Sequence, residues 1–153
     1  MTFLTQDEAD VLIKIEKKAI SSKCYEFPND NKLKVSIPLT SVDGEYKFDL
    51  DISRGSINLS KIKYQNRTLK NTILIRIDIC SSPHMNPDGM YVPPTHCHIY
   101  KEGYNDRFAY PLPDEFNKIN PDDIKKMVTT FLKYCNITED GLFKFKEFPG
   151  TIL

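Results

Sequence analysis

Residues 33–50 read LKVSIPLTSVDGEYKFDL, and their spacing decides the fold class. Leu33, Val35, Ile37 and Leu39 alternate with Lys34, Ser36 and Pro38, and Tyr46, Phe48 and Leu50 alternate with Lys47 and Asp49. Side chains two apart share one face of a strand, so each run has one apolar face and one wet face. Asp43-Gly44 between the runs marks a hairpin, because glycine accepts the positive φ that a tight turn needs. Strands joined so closely pair antiparallel.

The pattern continues downstream. Arg54-Gly55 predicts a second turn, with a third strand holding Ile57 and Leu59. The polar stretch YQNRTLKN (64–71) comes next. In NTILIRIDIC (71–80), Ile73, Ile75, Ile77 and Ile79 line one face, which predicts a central strand. Pro83, Pro87, Gly89, Pro93 and Pro94 make residues 81–95 a loop. THCHIYKE (95–102) is the next strand, and GYND turns the chain into RFAYPL. The tail LFKFKEF (142–148) predicts an edge strand.

Helices flank this run. Thr5 with Glu8 forms a capping box, and Leu4 with Ala9 a hydrophobic staple. Ala9, Leu12, Ile13 and Ile20 share an apolar face, which predicts a helix over about residues 6–20. Near the end, Asn120 caps a second helix with Pro121 at its first position. Ile124, Met127, Val128, Phe131, Leu132 and Cys135 follow its 3.6-residue period. PNDNK (28–32) is loop. The expected fold is α+β: a mainly antiparallel sheet of five to six strands with an N-terminal and a C-terminal helix packed on it, in a single domain spanning 1–153.

Charge and composition narrow the function. The chain has 21 basic and 21 acidic residues in 153, against the large positive excess of a generic nucleic-acid coat. No long apolar run suggests a signal peptide or a membrane span, so a cytoplasmic protein without a membrane partner is expected. Cys24, Cys80, Cys97 and Cys135 form no CxxC pair and read as free thiols.

All three histidines, His84, His96 and His98, lie within fifteen residues. On a strand His96, His98, Tyr100 and Glu102 point one way, and Cys97 and Ile99 point to the core. Three readings compete. The plainest is the wet face of a sheet, with ordinary hydrogen bonds. The second is a metal site for Zn or Fe: HxH with a carboxylate four residues on is half a cupin-type ligand set. No histidine follows His98, so His84, or Cys80 with His84, would have to complete it. The third is metal-independent acid–base catalysis, with one imidazole as base and the other as acid.

Cations for a phosphate are present. From Ile52 to Ile77 there is no acidic residue, while Arg54, Lys61, Lys63, Arg67, Lys70 and Arg76 are basic. The bland alternative is a set of solvated loop and edge charges. Arg76 and Asp78, alternating in the most apolar strand, read as an internal pair. Asp106 or Glu102 would orient a histidine.

The segments LTQDEADVLIKIEK, DISRGSINLSKIKYQNR, PHMNPDG, HCHIYKEGYNDRFAYPL and FLKYCNI together resemble an uncharacterised family of small bacterial proteins often carried on phage and other mobile elements. The resemblance covers nearly the whole chain. It implies a setting, mobile-element conflict, and no catalytic residue.

The leading expectation is therefore an RNA-acting protein, a metal-independent endoribonuclease of toxin type needing no cofactor. His96 and His98 would be the acid–base pair, with Glu102 orienting one, and His84 and Tyr100 alongside. Arg54, Lys61, Lys63 and Arg67 would hold phosphate. The partner would be RNA and an antitoxin or regulatory protein. Two alternatives stand: a non-enzymatic protein that binds and inhibits a host defence or regulatory complex, and a metal-binding protein using the HxH strand with Zn. A tail edge strand would permit a homodimer.

Overall fold

The computed structural model describes residues 3–27, 33–55 and 57–145. In chain order its elements are α1 (Gln6–Lys14), β1 (Lys17–Ala19), β2 (Tyr25–Phe27), β3 (Leu33–Ser41), β4 (Lys47–Arg54), β5 (Ile62–Thr68), β6 (Thr72–Ile79), β7 (His84–Met85) and β8 (Tyr91–Val92). They continue with β9 (His96–Ile99), β10 (Ala109–Tyr110), α2 (Asp114–Asn117), α3 (Ile124–Tyr134) and β11 (Phe143–Phe145).

The opening stretch folds as its pattern requires. β3 and β4 pair antiparallel from Leu33↔Arg54 to Thr40↔Lys47, and Gly44 takes a φ of +79° in the turn. β5 and β6 extend the meander, β9 pairs with β6, and β10 closes one edge while β1 closes the other. Every pairing in this sheet is antiparallel, and it has seven strands in the order β1-β3-β4-β5-β6-β9-β10, one more than the longest expected sheet.

One buried cluster joins Ala9, Leu12 and Ile13 of α1, Met127, Val128, Phe131 and Leu132 of α3, and one sheet face carrying Ile37, Leu50, Ile52, Ile75 and Ile77. The Phe131 ring lies 5.9 Å from that of Tyr64. The opposite face is polar. Cross-strand register sets Ser36, Asp51, Gln65, Arg76 and His98 in one row, and Ser53, Lys63, Asp78 and His96 in the next.

Several boundaries differ from expectation for physical reasons. The first helix ends after Lys14, not near residue 20, because Lys17–Ala19 pairs with β3. Residues 57 and 59 are not strand. The third strand is β5, which overlaps the polar stretch 64–71, because its buried face carries Tyr64, Asn66 and Thr68 beside Ile62. A bulge between Asn66 and Arg67 pairs Ile73 with Arg67 and so takes it off the face of Ile75, Ile77 and Ile79. The last helix is capped by Asp123, whose carboxylate accepts from the Lys126 amide, while Asn120 accepts from the Asp122 amide just ahead. Residues 81–95 contain the hairpin β7–β8. β11 pairs parallel with β2, outside the main sheet; residues 28–32 and 146–148 lie outside the described residues.

Candidate metal centre

The site starts from a two-by-two block. Arg76 and Asp78 share the polar face of β6, and His98 and His96 stand opposite them on β9. The β7–β8 hairpin lies against this face: Asn86 exchanges two hydrogen bonds with the backbone of Ala109, donating to its carbonyl (3.0 Å) and accepting from its amide (2.8 Å). Underneath, Asp78, His96 and His98 are buried, with 4%, 1% and 2% of their surface exposed.

Backbone carbonyls fix both imidazoles. His96 Nδ1 is 2.6 Å from the Pro93 carbonyl oxygen, and His98 Nδ1 is 2.7 Å from that of Asp106. A carbonyl can only accept, so each Nδ1 carries the proton and donates. In the neutral ring Nε2 then keeps its lone pair. Those atoms face Asp78 Oδ2, at 3.5 Å from His96 and 3.4 Å from His98. These spans are long for a hydrogen bond. Two donors about 2.1 Å from one tetrahedral ion also stand about 3.4 Å apart. The three donor atoms all lie within 4.8 Å of one another.

Asp78 is held as a carboxylate. Burial pushes its pKa up, but the Arg76 guanidinium, with His98 beside it, outweighs that and holds it at about 2. Arg76 Nε donates to Asp78 Oδ1 at 2.9 Å and its Nη2 to Asp78 Oδ2 at 3.3 Å, and its Nη1 reaches Asp106 Oδ2 at 3.2 Å. One guanidinium thus faces two carboxylates.

The other expected site residues scatter. Tyr100 leaves the strand face: its hydroxyl donates to the Leu4 carbonyl at 2.6 Å. Glu102 accepts from the Gln6 amide at the start of α1 (2.7 Å), so it orients no histidine. Arg54 is on the core face, 3% exposed. Arg67 pairs with Asp51 at 2.7 Å and Asp49 at 3.2 Å. Lys61 and Lys63 are exposed, and Lys63 stands beside Asp78 in register. Cys80 is exposed and outside the donor group. His84 does join the histidines, its ring centroid 4.8 Å from that of His98 and 6.0 Å from that of His96.

The residue missing from the expected set is Asp78. Its signal was the Arg76–Asp78 alternation in an otherwise apolar strand, which reads equally as a self-contained ion pair.

Residues 4–137 match the profile of a family of unknown function, DUF6978. The chain belongs to that family. No curated protein and no solved structure is detectably similar to it. Family membership agrees with the expectation of an uncharacterised family and assigns no chemistry, so the geometry of the polar face has to carry the functional reading. Among the described residues no helix is long and apolar enough to cross a membrane.

Proposed function

We propose that this chain binds a divalent transition-metal ion through Asp78, His96 and His98. The observation that carries the reading is the fixed orientation of two buried imidazoles. Each spends its Nδ1 proton on a backbone carbonyl, and both Nε2 atoms aim at one carboxylate oxygen at 3.4 and 3.5 Å. Carbonyl-anchored histidines around a carboxylate are how proteins set the tautomer and tilt of metal ligands. Imidazole with carboxylate suits Zn²⁺ or Fe²⁺.

RNA cleavage by this histidine pair draws less support, because Arg54 is buried and Arg67 is taken up by Asp49 and Asp51.

Elemental analysis and calorimetric titration of the purified chain with Zn²⁺ and Fe²⁺ test the reading. One equivalent is expected, lost in Asp78→Asn and in His96→Ala. Wild-type protein that takes up no stoichiometric metal would refute it.

A further inference from the structure

The β7–β8 hairpin carries more than its own contacts explain. Residues 81–95 contain four prolines, and their two strands are two residues each. Only Asn86 and Val92 of the segment are buried. So little apolar burial leaves a segment of this length weakly held. Yet its one histidine lies beside the Asp78–His96–His98 group.

The three imidazoles share one arrangement. His96 is anchored on the Pro93 carbonyl, His98 on Asp106 and His84 on Arg107, the last through Nε2 at 2.7 Å. In His84 the proton is therefore on Nε2 and the lone pair on Nδ1, which has no hydrogen-bond partner among the described residues. Ring centroids are separated by 4.8, 4.9 and 6.0 Å. Three imidazoles bound to one tetrahedral ion would have centroids about 5 Å apart. Edge-to-face ring packing also gives such spacings, but it does not require each ring to reserve an unpaired nitrogen.

We infer that His84 is the fourth ligand, through Nδ1, and that the ion staples the β7–β8 hairpin to the sheet in a closed His₃Asp centre. This rests on the metal reading above and deepens it. His84 stands outside the donor group of Asp78, His96 and His98, so the hairpin moves inward as the ion binds. A four-ligand centre leaves no position for a bound water, which makes the metal structural and not hydrolytic. Zn²⁺ is the ion that suits it, and Co²⁺ is its spectroscopic probe.

The full chain is titrated with Co²⁺ as wild type, His84→Ala and Asp78→Asn. Wild type should give the intense visible absorption of a four-coordinate ion. His84→Ala should bind at least about a hundredfold more weakly, beyond the loss typical of an outer-shell partner, and with the faint band of higher coordination. Zn²⁺ should protect the 85–91 segment from limited proteolysis in wild type and not in His84→Ala. Equal affinity and spectrum in wild type and His84→Ala would overturn the fourth ligand while leaving the centre intact. No Co²⁺ binding by wild type would remove the centre itself. Should His84→Ala fail to fold, paramagnetic proton NMR of Co²⁺-loaded wild type decides: three shifted, exchangeable imidazole N–H signals are expected, and two would overturn the inference.

Discussion

Single residues show where sequence reading stops. Strand periodicity placed His96 and His98 on one face, and it was correct because that inference needs only the two-residue repeat. It placed Tyr100 and Glu102 on the same face and failed, because β9 ends at Ile99 and Tyr100 turns inward to Leu4. Asp78 was invisible as a partner of the histidines, since cross-strand neighbours depend on register and register is not written in either strand alone. The same limit hid Tyr64, which sits on the core face of β5 with a buried hydroxyl that has no hydrogen-bond partner among the described residues. Burial pushes its pKa well above the usual phenol range. A buried polar atom without a partner costs stability that an apolar replacement of the same shape recovers. Tyr64→Phe is therefore expected to raise stability by about 1 kcal/mol, read from the urea midpoint at unchanged slope. A lowered midpoint would mean that the hydroxyl is bonded in solution.

At the level of elements, the first helix shows how tertiary structure overrides periodicity. Its capping box forms as expected, with the Glu8 amide donating to Thr5 and the Thr5 amide to Glu8. Its far end is set by Lys17, which the apolar pattern passes over. The Lys17 ammonium is fully buried and donates to the carbonyls of Ile13 (2.8 Å), Ile15 (3.0 Å) and Cys135 (2.7 Å). One side chain thus satisfies orphan carbonyls at the ends of both α1 and α3, where a positive charge also complements the helix dipoles. Burial lowers its pKa from 10.5 to about 8, so it is charged at neutral pH. Lys17→Met should leave the three carbonyls buried and unpaired and cost about 3 kcal/mol at pH 7. Chemical denaturation measures this, and a cost under about 1 kcal/mol would show that water replaces the ammonium.

Across the whole molecule, the antiparallel meander was legible because its turns carry local chemistry, as at Asp43-Gly44. β5 and the parallel β2–β11 pair were not, since one hides polar residues on its buried face and the other joins segments more than a hundred residues apart. Two buried titratable groups at the helix ends also set the response of the fold to alkali. The Cys135 thiol, buried under α3, is raised by burial from 9.0 to about 12. The unfolded chain loses that proton near pH 9 while the folded chain keeps it, so its stabilising contribution is full below pH 9 and is lost as pH rises towards 12. Lys17 acts with the opposite sign. Between about pH 8 and 10.5 the unfolded chain holds the extra proton, so stability rises with pH there. The two effects separate by mutation. The advantage of wild type over Cys135→Ala should shrink from pH 8 to pH 10.5, whereas its advantage over Lys17→Met should grow across the same window. Urea midpoints of the three proteins at both pH values check this. Parallel shifts in all three would show that neither group titrates differently in the fold, and that water reaches both the thiol and the ammonium beneath the two helices.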